Sequence, residues 1–338
     1  MDEILLKLVQ NEVSKILSKK KMFLISGILI ILIVLFAYGQ NFQYKNSLKR
    51  YSKTTIESGT DSWKPIVKQQ ISDLKNRLSS QNTLSYSKNN ITIQIDQYQY
   101  YLDNNINPLT PSAGKYAVTF MEQGIYMFLP LLIIILAGDS VSGEFSSKTI
   151  KILLTRAVPR WKVLLSKYLA LLILFSIVIL ETLILSILIS GFMFNSWGFS
   201  EPVATGFKSI GGKLDASNVI KLLEWQYIVL VYSLGWFVSC VVGTISFMVS
   251  VLVRNTATSI GVMMATLIGG SFLQLFLADW PAVKYFFVTN LNLPQYLTGS
   301  YQPISGMSLV FSTLVLLVWA VGALVVSFLV FTKQDVLV

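Results

Sequence analysis

The amino-acid sequence predicts an all-α integral membrane protein of about six transmembrane helices. Composition is the first observation: 53% of the 338 residues are hydrophobic and only 13% are charged, about half the charge of a soluble domain. The second is blocking. Apolar runs of roughly 18–25 residues recur, and each can cross a hydrocarbon core about 30 Å thick. The third is charge placement. The net charge is +10, with lysines and arginines set between the apolar runs, where anionic lipid and membrane orientation explain them better than nucleic acid does.

Residues 1–21 read as an amphipathic interfacial helix on the cytoplasmic side. Leu5, Leu8, Val9, Glu12, Val13, Ile16 and Leu17 follow helical spacing, and all but Glu12 are apolar. Lys15, Lys19, Lys20 and Lys21 crowd its end, a pattern that anchors a helix against lipid headgroups. The first span covers 22–39; its long charged leader argues for an uncleaved helix over a signal peptide. Residues 40–117 form a polar insertion. Val67, Ile71, Leu74 and Leu78, then Ile91, Ile95, Tyr98 and Leu102, give two matching stripes, so a helical hairpin is expected. The alternation of Ile91, Ile93 and Ile95 leaves a short strand as the competitor. Residues 118–338 hold five further spans, near 118–138, 164–194, 226–252, 258–278 and 307–331. The span at 164–194 exceeds a bilayer's need and is expected to tilt or protrude. Polar connectors are expected at 195–225 and 279–306.

Orientation follows from the short loops. One side collects Lys7, the Lys15–Lys21 cluster, Lys148, Lys151, Arg156, Arg160, Lys162, Arg254 and Lys333, against Lys208, Lys213, Lys221 and Lys284 opposite. Both termini and the 139–163 segment are therefore expected in the cytoplasm, with the 40–117 insertion outside.

The 139–163 segment carries the densest signal. It runs Asp139-Ser-Val-Ser-Gly-Glu144-Phe-Ser-Ser-Lys148-Thr149-Ile150, continues through Leu153-Leu154 and Arg156 to Val158-Pro159-Arg160, and is followed by Lys167. From composition alone it is a basic juxtamembrane loop. Its residues, however, resemble the signature of ABC-2 type permeases, the membrane subunits of a large class of ABC transporters. That pattern has an Asp, a Glu, a Thr-hydrophobic pair, leucines, a Pro-x-Ser-Arg-like turn and a Lys opening the next span. Lys148 replaces the Gly common before the Thr, and Pro159 directly precedes Arg160 in place of a Ser. The basic leader, six spans and the aromatic stretch of Trp280-Pro281, Tyr285-Phe286-Phe287 and Leu293-Pro294-Gln295-Tyr296 are similar to that family too. The 40–117 insertion is an addition to its minimal pattern.

The resemblance implies a permease subunit of a bacterial cell-membrane exporter that forms the pathway as a dimer, with a second copy or a paralogous permease. It also implies separate ABC ATPase subunits that bind the ATP, with no cofactor in this chain. Asp139, Glu144, Lys148, Thr149, Arg156, Pro159, Arg160 and Lys167 would form the coupling element.

The residues themselves supply no nucleotide site. The string nearest a phosphate loop, Gly206 to Leu214, has an extra Gly and lacks the Ser or Thr after its Lys. The absence of histidine excludes imidazole-based metal and nucleophile chemistry, and the single Cys240 excludes an intramolecular disulfide. No set of acids, bases or nucleophiles converges within the spans to suggest an enzyme.

Two acids fall in apolar segments. Glu181 lies about 14 residues beyond Lys167, roughly 21 Å along a helix. It reads as a pathway contact or an interhelical hydrogen-bonding group. Glu122 sits near the outer end of its span, where a carboxylate costs little. Gly261, Ala265 and Gly269 form a small-residue stripe for close packing within the subunit or across a dimer. Trp225, Tyr227, Trp236 and Trp280 are expected near the membrane interfaces. Two other functions suit a chain of this kind: ion- or proton-coupled transport through Glu181, and a non-transporting sensor or immunity protein using the hairpin.

Overall fold

The computed structural model describes residues 3–52, 63–79, 85–149, 158–210, 213–215, 219–277, 280–299, 304 and 306–333. The first two helices are α1 (Glu3–Ser18) and α2 (Lys21–Ser52), with α3 (Trp63–Ser79) and α4 (Ser85–Asp103) forming the hairpin. Then come α5 (Ala113–Gly124), α6 (Phe128–Gly138), the short α7 (Ser142–Ser146) and α8 (Arg160–Phe194). After β1 (Pro202–Thr205), β2 (Lys208–Ile210), β3 (Lys213–Asp215) and β4 (Ile220–Leu223) the chain finishes with α9 (Glu224–Val253), α10 (Thr256–Phe276), three 3-10 turns and α11 (Leu309–Lys333). Among the described residues, five helices are long and apolar enough to cross a membrane: α2, α8, α9, α10 and α11.

The sixth crossing departs from the sequence expectation. Residues 118–138 read as one continuous span, but the helix starts at Ala113, behind the cap Ser112, and breaks after Gly124. It resumes as α6 with a bend of 61°. Pro130 explains the break: it has no N–H to offer the carbonyl of Tyr126, one turn back. The pair still runs the length of α8. At one end the Ala113 and Gly114 amides donate to Ser196 and Trp197 carbonyls, at 2.9 and 3.1 Å, just past the α8 terminus. At the other end Glu144, just beyond α6, meets Lys167 near the start of α8.

Helix α9 is the hub, with 61% of its apolar window buried against 22–33% for the other long helices. It packs on α5, α6, α8, α10 and α11. Gly243 sets its approach to α8, because a Cβ there would overlap the Phe175 ring. Hydroxyls tie the helices where no water competes. Tyr232 on α9 bonds the Ala117 carbonyl at 3.2 Å and the Ser186 hydroxyl at 3.0 Å, and Tyr116 on α5 donates to the Ile33 carbonyl at 2.6 Å.

The two connectors also differ from expectation. Residues 202–223 are not a plain loop: β1 pairs antiparallel with β4, and β2 with β3. The chain is thus mostly helical, with two short antiparallel pairs added in this connector. The second connector is not merely polar. Its 3-10 turns at Pro281–Tyr285, Phe287–Asn290 and Leu293–Thr298 bury Phe287, Val288, Leu291 and Leu293 against the helices. Gly270 admits them, since a Cβ there would lie 2.7 Å from Val288. Asn290, fully buried, donates to the carbonyls of Lys284 and Phe286, both at 2.8 Å.

In the insertion, Trp63, Val67 and Ile71 of α3 pack on Ile95, Tyr98 and Leu102 of α4. The Ile91–Ile95 stretch is helical, so the strand alternative falls away. Helix α2 continues to Ser52, beyond the expected span end at 39.

Candidate functional site

The end of the bundle formed by the α1–α2 elbow, residues 139–149, the α8 start and the α9–α10 turn carries a dense charge cluster. Helix α1 lays Leu5 and Val9 inward, and the same face delivers Glu12, the one polar member of its stripe. Lys20 adopts a left-handed φ of 56°, which turns the chain sharply into α2. That turn brings Lys15, Lys19 and Lys21 over the end of α6.

Asp139 follows the last residue of α6. Its Oδ2 accepts from Lys21 and, at 3.2 Å, from Lys19, while Oδ1 accepts from the Thr256 hydroxyl of α10 at 3.1 Å. Gly143 lies so close that a Cβ would sit 2.9 Å from the Asp139 carboxyl carbon. Glu144, on α7, is 4% exposed. Its Oε1 accepts from Lys15 and, at 2.6 Å, from Lys167, whose Nζ also reaches Glu12 at 3.0 Å. Lys167 is 1% exposed. Two acids and two bases thus neutralise one another where α1, α7 and α8 meet, which is the condition for burying charge at tolerable cost.

The electrostatics follow. Burial opposes ionisation of Glu144, yet Lys167 and Lys15 hold its carboxyl below the usual value. Asp139 is likewise desolvated and likewise held low, by Lys21 and Lys19. Burial works against the Lys15 charge as well, but Glu144 raises its pKa overall.

The residues singled out by sequence therefore separate into two groups. Glu144 and Lys167 are buried and Asp139 is half-buried, each pinned between elements by ion pairs. Lys148, Thr149 and Pro159 are exposed, and Arg160 is half-buried. Lys148 ends the short helix in a left-handed conformation, φ 58°, and Arg254 lies over the Phe145 ring, 5.3 Å away. Arg156 lies outside the described residues. The lysines expected to anchor α1 to lipid are mostly otherwise engaged: Lys15, Lys19 and Lys21 hold acids of this chain, and Lys20 alone of the four makes no ion pair among the described residues. Sequence reasoning missed the role of Glu12. Its signal was present, as an acid on an otherwise apolar stripe.

The remaining candidates lie elsewhere. Glu181 is half-buried on α8 and makes no hydrogen bond or ion pair among the described residues. Glu122 accepts from the Tyr227 hydroxyl at 3.2 Å, so Tyr227, 5% exposed, is an interior hydrogen-bond donor, not an interfacial aromatic. Trp225, Trp236 and Trp280 are exposed. Gly261 and Ala265 are exposed and Gly269 is half-buried; a Cβ at either glycine meets nothing within 4 Å. The stripe does not pack within the subunit, because α10 turns Met263, Leu267 and Gly270 inward instead. The described residues of the Gly206–Leu214 string enter the β2–β3 pair, with no helix N-terminus directly behind them among the described residues to cradle a phosphate.

Five long apolar helices and the bent pair make this chain a mostly helical, multi-pass membrane protein. It belongs to the family described as "Protein of unknown function (DUF2705)", whose model matches residues 81–337. It is 27% identical over 339 residues to "Uncharacterized protein YhcI" of Bacillus subtilis (strain 168), covering 98% of this chain and 99% of that protein. It is also 31% identical over 247 residues to "Uncharacterized membrane protein YdbK" of the same organism, covering 71% of this chain and 92% of that one.

Proposed function

We propose that the chain is the membrane subunit of an ATP-driven exporter of the ABC-2 permease type, in the bacterial cell membrane. Both termini and the charged end face the cytoplasm, and the hairpin faces out. A separate ATPase pair binds the nucleotide, and a second copy or a paralogous permease completes the pathway. The observation that carries this reading is the Glu12–Lys15–Glu144–Lys167 cluster. It fastens the 139–149 segment to α1 and α8, so a push on that segment is delivered to α1 and α8 together. Exposed Lys148 and Thr149 then form the contact surface. Affinity purification from native membranes tests the reading: the wild-type chain recovers an ATPase. Lys148→Glu, which leaves the buried pins alone, lowers that recovery severalfold with an unchanged melting temperature. Recovery of no ATPase by the wild-type chain rejects the proposal.

Two observations favour a second reading, ion-coupled transport. The α5–α6 crossing is interrupted, and Glu181 has no partner among the described residues; interrupted helices and membrane carboxylates both occur in such transporters. Flux in proteoliposomes driven by an imposed proton gradient, without ATP or ATPase, selects it.

A further inference from the structure

At the opposite end of the bundle, between α2, α4, α5, β1 and the start of α9, lies a cavity of about 260 Å³. Glu122, Glu224, Tyr44, Tyr101 and Tyr227 line it. Glu224 is 1% exposed, and its Oε2 accepts no hydrogen bond among the described residues. The backbone is kept bare for this side chain: a Cβ on Gly114 would lie 2.5 Å from the Glu224 Cγ. Glu122 has the Tyr227 hydroxyl, at 3.2 Å, as its donor. The nearby cation is Lys115, and it is fully engaged. Its ammonium bonds Glu201 at 2.6 Å and the carbonyls of Asn107 and Thr110 at 2.8 and 3.3 Å, which uses the three donors that a lysine has. Nothing remains for Glu224. A buried carboxylate oxygen without a donor is costly, and the Glu224 residue lines this cavity.

A second cavity, about 390 Å³, shares Gln40 and Thr119 with the first. It runs between α2 and α5 along Leu35, Phe36 and Phe120, and Leu35 is 60% exposed on the outer, lipid-accessible flank of α2. An acidic, tyrosine-lined chamber thus adjoins a groove open to the side, where Leu35, Phe36 and Phe120 offer apolar surface beside Gln40, Gln43 and Gln123.

We infer that this double cavity binds an amphiphilic primary ammonium compound, its cationic head between Glu224 and Glu122 and its alkyl chain along the α2–α5 groove. An ammonium supplies the hydrogen bonds that Glu224 lacks, and the tyrosine faces favour an organic cation. A metal ion suits the site poorly, since no group of three or more His, Cys, Asp or Glu converges to hold one among the described residues. The ammonium could come from a free amphiphilic amine or from an aminolipid headgroup, and the chemistry of recognition is the same.

The test uses the full chain in phosphatidylcholine nanodiscs, with radiolabelled dodecylamine as the probe and empty nanodiscs as the background. Saturable binding is expected, with dodecanol at least about tenfold weaker. Glu224→Gln, which preserves shape, weakens dodecylamine binding about tenfold, and Gly114→Ala does so by displacing Glu224. Equal binding of dodecanol, or undiminished binding in Glu224→Gln, overturns the inference. Repeating the titration in nanodiscs containing phosphatidylethanolamine assigns the source. Competition by the lipid identifies a headgroup site, undiminished binding identifies a site for free amines, and both retain the ammonium chemistry. No ATPase is needed, so the outcome stands apart from the transport proposal.

Discussion

At the residue scale the charged end behaves as a closed circuit. Lys167 donates to Glu12 and Glu144 at 3.0 and 2.6 Å while 1% exposed, so replacing it leaves Glu12 without its cation and Glu144 with Lys15 alone. Breaking a buried pair from one side costs about 3–5 kcal/mol. Lys167→Met is therefore expected to lower the melting temperature in detergent sharply. The Glu144→Gln/Lys167→Met double variant loses less than the sum of the singles, which a double-mutant cycle reads. The pH dependence follows from the same contacts. Glu144 and Asp139 are held below their ordinary values of 4.5 and 3.8, so their contribution is present above those values. It is lost as pH falls through the lower folded ones. Lys15 is held above 10.5, so its contribution is complete below that value and fades only as pH rises past the higher folded one. Melting temperature should be flat across neutral pH and fall in acid, less steeply in Glu144→Gln. Much of this was written in the residues. Asp139, Glu144 and Lys167 were identifiable as a set, and Glu12 as an acid out of place on an apolar stripe. Their pairing was not legible, because Glu12 and Lys167 meet only when α1 folds back on α8.

At the element scale, glycines on neighbouring helices have opposite meanings. A Cβ on Gly243 of α9 would run into the Phe175 ring of α8, whereas one on Gly261 or Gly269 of α10 meets nothing within 4 Å. Gly243→Ala should destabilise by about 1–3 kcal/mol through overpacking. Gly261→Ala and Gly269→Ala should be neutral or stabilising by up to about 1 kcal/mol, the helix propensity difference. Thermal melts of the three variants decide, and the ordering reverses if α10 packs its small stripe inward. Hydropathy alone located every long helix to within a few residues at most ends, because an apolar run of bilayer length has few alternatives. It missed the break between α5 and α6, although Pro130 marked the place, since a proline in an apolar run reads equally as a tolerated kink. The β1–β4 pairing escaped for a different reason. Its partners are Pro202 with Leu223 and Thr205 with Ile220, and such pairing across a long connector leaves no local period.

At the scale of the whole molecule, function turns on which end faces which compartment. The elbow at Lys20, the 139–149 segment and the α9–α10 turn at Arg254 are gathered at one end by ion pairs and by the Arg254–Phe145 contact. The α5 start and the α8 terminus are joined at the other, and the hairpin leans on that end through the Gln97 side chain, which donates to the Thr298 carbonyl. The proposed orientation, which the lysine and arginine bias supports, has the first end in the cytoplasm. Single cysteines in a Cys240→Ala background test this directly, because Cys240 is the chain's one native thiol. Ser147 is exposed beside Lys148, and Ser72 is exposed on α3. A membrane-impermeant maleimide added to intact cells should label Ser72→Cys and leave Ser147→Cys unmodified until the membrane is opened. Labelling of Ser147→Cys from outside would place the charged end, and any motor acting on it, on the wrong side of the membrane for ATP. The ion pairs would then remain as structural fasteners, and the ATP-driven reading would be lost.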